Sequence, residues 1–216
     1  MSRVLRFTQL DLRVQQATLK TTLAVGALLA LLTWVTAPLP PLIVAVFTFA
    51  AAIVAVEPFR ADERGRLDAL YAVLPVRRAQ VVGGRYLTML GIQLLFAAIG
   101  VLLAFAAAAV KGVPMDASLA GLILSAGFAL NALILAVETP VLFRVGYARA
   151  RWVMFTPVLV IAALGALANL SGVNLTQFAL SLRAAAWAPA LLPVGGLAVL
   201  ALSALASTRL YAGRDL

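Results

Sequence analysis

The sequence predicts an all-α, polytopic membrane protein with six transmembrane helices and both termini in the cytoplasm. Three observations predict this fold class. First, 64% of the 216 residues are hydrophobic and 12% are charged, whereas a soluble domain is close to half apolar and a quarter charged. Second, the apolar residues form six long runs. Third, the basic residues concentrate in alternate segments between those runs, as the positive-inside rule requires.

The six apolar runs are the predicted spans, since a helix crosses a bilayer with about 20 residues. They are 21–37, 42–56, 86–110, 117–137, 152–168 and 187–206. A Pro-Leu-Pro-Pro turn at 38–41 separates the first two runs. The remaining segments are too short for a separate domain, so residues 1–216 are interpreted as a single transmembrane domain.

The basic residues orient these spans. Fifteen of the seventeen arginines and lysines lie before the first run, between the second and third, between the fourth and fifth, or after the last. The other side keeps Lys111 and Arg183. We therefore expect an amphipathic segment at 1–20 and loops at 57–85 and 138–151 on the cytoplasmic side, and an external segment at 169–186. The net charge of +9 is mainly an orientation signal, and no nucleic-acid partner is expected.

Residue types that many catalytic and metal sites require do not occur in the sequence. The chain has no cysteine and no histidine, which excludes thiolate nucleophiles, Ser-His-Asp triads, disulfides and the common zinc sites. It also lacks a G-x-x-x-x-G-K-[ST] motif, so it has no P-loop of its own. A membrane enzyme would need clustered acids or a nucleophile pair at membrane depth. We therefore expect no enzymatic activity, no metal and no cofactor bound by this chain.

The loop 57–85 has the pattern of a short amphipathic helix. Asp62 is the expected N-cap, and Pro75 is expected to end the helix. The helix could lie among lipid headgroups, or it could dock a cytoplasmic protein. Acidic residues between the arginines favour a protein partner. The residues of the pattern are Arg64, Leu67, Asp68, Leu70, Tyr71 and Leu74.

Two segments resemble those of ABC-2 type export permeases. In the loop 57–85 and the start of the third run, the matching residues are Leu74-Pro75, Arg77-Arg78, Val81-Val82, Gly84 and Arg85-Tyr86-Leu87. In the second loop, the residues from Pro140 to Gly146, followed by Arg149 and Arg151, resemble the Pro-x-x-Phe-Lys/Arg-x-Gly segment of that family. The two segments occur in the family's order and within its frame of six spans.

The resemblance implies a permease subunit of an ATP-binding-cassette exporter in the inner (plasma) membrane of a bacterium. Such a subunit moves an amphipathic or hydrophobic substrate, such as a peptide or a drug, outward. A separate cytoplasmic ATPase, present in two copies, binds ATP and Mg²⁺, and a second permease copy or a homologue completes the dimer. The loop helix becomes the coupling helix on the ATPase, with Arg64, Leu67, Asp68, Leu70, Tyr71 and Leu74 as its docking residues. Arg77 and Arg78 would contact the ATPase or membrane lipid.

Two polar residues lie in or beside the fourth run. Glu138 is interpreted either as a residue at the cytoplasmic interface or as a gating residue paired with Arg144 or Arg151. Asn131 is interpreted either as an interhelical hydrogen bond or as a contact to substrate. An ion-coupled secondary transporter is the alternative function. Such carriers usually have intramembrane acids and repeated halves, whereas this sequence has one peripheral glutamate and no evident repeat.

Overall fold

The computed structural model describes residues 8, 20, 24, 26–28, 31, 35, 40–65, 78–150, 152, 155–172, 174–185 and 187–213. The regular secondary structure in these ranges is entirely helical, which confirms the all-α class for this part of the chain. The helices are α1 (Leu42–Ala55), α2 (Glu57–Gly65), α3 (Arg78–Lys111), α4 (Ala117–Val145), α5 (Thr156–Leu170), α6 (Leu175–Ala184) and α7 (Ala188–Ala212).

Among the described residues, four helical stretches are long and apolar enough to cross a membrane: α1 continued by α2, then α3, α4 and α7. They correspond to the second, third, fourth and sixth predicted spans. Helix α5 covers the fifth predicted span, but its 15 residues reach about 22 Å, against roughly 30 Å of hydrocarbon. The first predicted span, 21–37, lies mostly outside the described residues. A multi-pass membrane fold is therefore confirmed, while the count of six spans stays a prediction.

The helices pack closely where glycines and small residues face a neighbour. Helices α4 and α7 form the most extensive pair, and α1 packs against both α3 and α4. A Cβ atom added to Gly100 of α3 would lie 2.8 Å from the Cβ of Phe47 on α1. One added to Gly127 of α4 would lie 2.7 Å from a methyl carbon of Thr48. These two glycines set how closely α1 approaches its neighbours.

Helix α4 continues through Pro140 to Val145, beyond the predicted end of the fourth span at residue 137. A proline inside a helix lacks the N–H that would bind the carbonyl four residues earlier, which here belongs to Ala136. The Ser203 hydroxyl of α7 donates a 2.9 Å hydrogen bond to that carbonyl. A polar side chain on a neighbouring helix thus satisfies the group that the proline frees, which is how membrane helices tolerate proline.

A second hydrogen bond of the same kind joins a side chain of α4 to a backbone carbonyl of α7. Pro193 lies inside α7 and frees the carbonyl of Pro189, to which the Ser125 hydroxyl of α4 donates a 3.0 Å hydrogen bond. Each helix of the α4–α7 pair therefore supplies a serine to the proline-freed carbonyl of the other. These reciprocal bonds help to explain why both helices continue through a proline.

The bundle has two ends with different contents. At one end lie α2, the start of α3, residues 146–150 and the C-terminus of α7, joined by a shared buried cluster; we call this the α2 end. Near the other end, Asp116 caps α4 by accepting a 2.9 Å hydrogen bond from the Leu119 N–H, and it forms an ion pair with Arg183 of α6. Segments predicted as cytoplasmic thus lie together at the α2 end, whereas Arg183, which is predicted to be external, lies near the other end. The orientation of the two ends in the membrane stays a prediction.

Candidate functional site

Helix α2 is attached to the bundle through aromatic packing. Phe59 is buried, and its ring meets that of Phe143, near the end of α4, edge to face at 5.0 Å between centroids. The Phe143 ring lies 5.2 Å from that of Tyr211 at the end of α7. Aromatic pairs at these separations add stabilisation to that of the buried area. The short helix α2 is therefore fixed on the ends of two long helices.

A buried ion pair ties α2 to α3. The Arg85 side chain of α3 is 1% exposed, and its guanidinium binds the carboxylate of Asp62 on α2. The same guanidinium lies 4.8 Å from the centroid of the Phe59 ring, within the range of a cation–π contact. Asp62 is consequently not the N-cap expected from the sequence. That prediction is wrong, because α2 begins at Glu57 and the Asp62 carboxylate binds Arg85.

Arg78, in the first turn of α3, caps the C-terminus of α7. Its guanidinium donates hydrogen bonds of 3.0 Å to the carbonyl of Tyr211 and 2.6 Å to that of Ala212. It also lies 5.7 Å from the centroid of the Tyr211 ring. The last carbonyls of a helix have no partner within the helix and carry its negative dipole end. A guanidinium is therefore a favourable cap at this position.

Residues 146–150 connect α4 to the following segment beside α2. Gly146 has a φ of 82°, a conformation that favours glycine, and the backbone N–H of Ala148 donates to the carboxylate of Glu63. Burial raises the pKa of the Tyr147 hydroxyl. A cavity of about 450 Å³ lies between this segment and α2, and its lining includes Asp62, Glu63, Arg144 and Arg149. The α2 end therefore presents acidic and basic side chains around a cavity whose lining includes the rings of Phe59, Phe143 and Tyr211.

Comparison with known protein families decides what this helical bundle is. The family model described as ABC-2 family transporter protein matches residues 9–212, which is nearly the whole chain. The chain belongs to this family. No curated protein and no solved structure matches it. The resemblance read from the two loop segments is thus confirmed, and the ABC-2 chain is a permease component of an ABC transporter. Membership of this family implies association with an ABC ATPase.

The structure places two predicted coupling residues of this ABC-2 chain at the α2 end. Arg64 is exposed in the last turn of α2. Arg78 is half-buried and binds the C-terminus of α7, so a contact with the ATPase or with lipid stays a prediction for this residue. The other predicted coupling residues lie outside the described residues, and their role also stays a prediction; they are Leu67, Asp68, Leu70, Tyr71, Leu74 and Arg77.

The two polar residues of the fourth span lie on one face of α4, a separation of seven residues being about two helical turns. The Asn131 side chain donates a 2.6 Å hydrogen bond to the backbone carbonyl of Thr48 on α1, which confirms the interhelical bond. Glu138 is 3% exposed and lies two turns before the end of α4 rather than at it. Arg144, by contrast, is exposed. The gating role of Glu138 and the substrate contact of Asn131 stay predictions.

Sequence reasoning did not identify the residues that hold α2 in place. It counted Arg85 among the cytoplasmic charges, whereas the structure buries this side chain against Asp62 and Phe59. The spacing of seven residues places Arg78 and Arg85 on the same face of α3, but it does not indicate that Arg78 binds α7 and Arg85 binds α2. The N-terminal segment 1–20 also contacts this region at one described residue, where the Thr8 hydroxyl donates to the carbonyl of Gly84 at 3.3 Å.

Proposed function

We propose that this chain is the permease subunit of an ATP-driven exporter, moving an amphipathic or hydrophobic substrate such as a peptide or a drug outward across the inner membrane. Two copies of a cytoplasmic ABC ATPase bind ATP and Mg²⁺ and supply the energy, and a second permease copy or a homologue completes the pathway. The α2 end is the cytoplasmic face, where the ATPase docks. Transport requires no catalytic residue in this chain.

The observation that carries this proposal is the arrangement of the α2 end. Helix α2 buries Pro58 and Phe59 against the bundle, while Arg64 is exposed in its last turn. The chain then continues into the leucine-rich part of the loop, at 66–77. A docking element for a large partner needs apolar anchors within a polar rim and a firm attachment to the helices that it moves. The attachment of α2 is built from Phe59, Asp62 and Glu63.

Substitution of two predicted anchors tests the docking face. In the variant Leu67→Asp with Leu70→Asp, we expect loss of ATPase co-purification in mild detergent with unchanged membrane insertion, because the predicted spans are untouched. The matched control is Arg209→Asp, which changes the net charge by the same amount at an exposed position near the end of α7. The measurement is ATPase activity that co-purifies with the tagged permease. Retention of the ATPase by the double variant would show that the docking face is wrongly placed.

An ion-coupled carrier is the second candidate, and the burial of Glu138 is the observation in its favour. An acid inside a bundle of membrane helices is a common feature of ion and proton pathways. The ABC-2 family model over residues 9–212 argues against such a carrier. Reconstitution decides between the two: we expect no ion-driven uptake by the chain alone in proteoliposomes. Uptake under an ion gradient without ATPase, lost in Glu138→Gln, would overturn the exporter proposal.

A further inference from the structure

Arg85 has the least exposed charged side chain in the described part of the chain, at 1% exposure. It lies in the second turn of α3, and two of its partners, the Asp62 carboxylate and the Phe59 ring, belong to α2. Removing a charged side chain from water is costly unless other groups compensate for the lost hydration. The carboxylate and the aromatic ring provide part of this compensation, and both of these groups belong to α2.

Helix α2 also contacts the bundle away from Arg85, since Phe59 packs on Phe143 and Glu63 accepts from the Ala148 N–H. Pro58 and Phe59 are its buried residues. Only Val56 separates it from α1. Because Val56 is a turn residue between the two helices, the direction of α2 relative to α3 depends on specific contacts with the bundle. A positive charge on α3 provides such a contact, because it can pair with the Asp62 carboxylate and lie over the Phe59 ring at the same time.

We propose that Arg85 is a positioning residue, which holds α2 at one fixed position on α3 through Asp62 and Phe59. This inference rests on the proposed function, in which α2 belongs to the surface that receives the ATPase. Because Phe59 also packs on Phe143 of α4 and Glu63 binds residue 148, a fixed α2 moves together with the ends of α3 and α4. A displacement imposed on α2 by the ATPase then reaches the long helices undiminished.

If Arg85 positions α2, then Arg85 and the neighbouring Tyr86 have different partners and different roles. In the Arg85-Tyr86 pair, Arg85 faces α2, whereas the Tyr86 hydroxyl lies 2.7 Å from the Ser203 hydroxyl and 3.0 Å from that of Ser207, both on α7. The first turns of α3 thus contact both α2 and α7. Loss of Arg85 should loosen the contact between α2 and α3, while the pairing of α3 with α7 persists.

A distance measurement on the full-length chain tests this inference without the ATPase. The chain contains no cysteine, so Gly65→Cys on α2 and Val145→Cys on α4 can carry two spin labels at exposed sites. We expect a single narrow distribution of distances between the labels. It should broaden or gain a second population in Arg85→Gln and in Asp62→Asn. It should stay narrow in Arg85→Lys, which retains the charge opposite Asp62, and in the control Arg209→Gln.

A second measurement connects the position of α2 to transport. With the ATPase bound, we expect Asp62→Asn to retain ATPase association and hydrolysis but to lose transport per ATP hydrolysed. Arg85→Lys should restore most of the transport that Arg85→Gln loses, which a general effect on folding would not produce.

The outcomes separate the inference from the function on which it rests. An unchanged distance distribution in Asp62→Asn would overturn the inference, even if Arg85→Gln failed to insert, because Asp62→Asn keeps the size of a side chain that is already 14% exposed. Equal broadening in Arg85→Lys and Arg85→Gln would also overturn it. Absence of any ATPase with the unmodified chain would refute the proposed function, while the label distances would still decide whether Arg85 positions α2.

Discussion

The Ser203 hydroxyl and Pro140 form a pair whose energetic coupling can be predicted from the structure. Pro140 has no N–H to give to the Ala136 carbonyl, and Ser203 supplies a 2.9 Å hydrogen bond instead. In Ser203→Ala this partly buried carbonyl loses its donor, and an acceptor left without a donor inside a protein costs about 1–3 kcal/mol. Ser203→Ala also removes a bond to Tyr86, which costs about 0.6 kcal/mol, the average for membrane proteins. We therefore expect a total loss of about 1.5–3.5 kcal/mol in the free energy of unfolding.

Making the same serine substitution in a Pro140→Ala background separates these two contributions. Pro140→Ala restores a backbone N–H that can bind the Ala136 carbonyl within α4. In this background Ser203→Ala should lose only the Tyr86 bond, and the Tyr86 contribution cancels in the double-mutant cycle. The expected coupling between positions 140 and 203 is thus about 1–3 kcal/mol.

Reversible unfolding in mixed detergent micelles, followed by circular dichroism, measures the four free energies of this cycle. The analogous cycle at Ser125 and Pro193 is an internal comparison. There the freed carbonyl belongs to Pro189, an exposed residue, so water or a headgroup can replace the serine and the coupling should be smaller. Additivity at positions 140 and 203 within about 0.5 kcal/mol would refute the view that Ser203 replaces the missing N–H of Pro140.

Two further predictions concern contacts between helices. Asn131→Leu should cost about 0.6–1.7 kcal/mol, less than the loss of the Ser203 bond, because the carbonyl that accepts from Asn131 also lies within regular helix α1 and keeps its intrahelical donor; the same unfolding assay checks this order, and a larger cost for Asn131→Leu would contradict it. Gly196→Ala should be less stable than Gly195→Ala by about 1–3 kcal/mol. A Cβ at Gly196 would lie 3.1 Å from the Phe128 ring, whereas one at Gly195 would have no neighbour within 4 Å, and equal stabilities would contradict the close approach of α4 and α7.

How much of the fold can be predicted from the sequence depends on the lipid that surrounds the helices. Hydropathy identified the regions of α1, α3, α4 and α7, because a lipid-exposed backbone must satisfy its own hydrogen bonds and long apolar runs therefore become helices. It misplaced the end of α4 since a proline followed by charged residues normally ends a helix. The donor that lets α4 continue is Ser203, and its proximity to Ala136 depends on the packing of α7.

The candidate site was less predictable than the spans. The amphipathic pattern identified the loop 57–85, but it placed the start of the helix near Asp62, whereas α2 begins directly after α1 at Glu57. In the sequence, an acidic residue such as Asp62 is compatible with two roles. It can cap the start of a helix, or it can form an ion pair with a basic side chain. Which of the two forms depends on whether a guanidinium from a distant turn reaches it, and Arg85 is 23 residues further along the chain.

The basic residues of the α2 end therefore serve two different purposes, although they contribute equally to the net charge. Arg64, Arg144 and Arg149 are exposed and fit the role of orienting the chain through the positive-inside rule. Arg78 and Arg85 bind α7 and α2, so their charge is compensated inside the protein. Substitution of an exposed arginine should thus weaken contacts to lipid or to the ATPase, whereas substitution of Arg85 should change the position of α2. Because both groups lie at the same end, the distance between α2 and α4 distinguishes a change in the position of α2 from a loss of surface contacts.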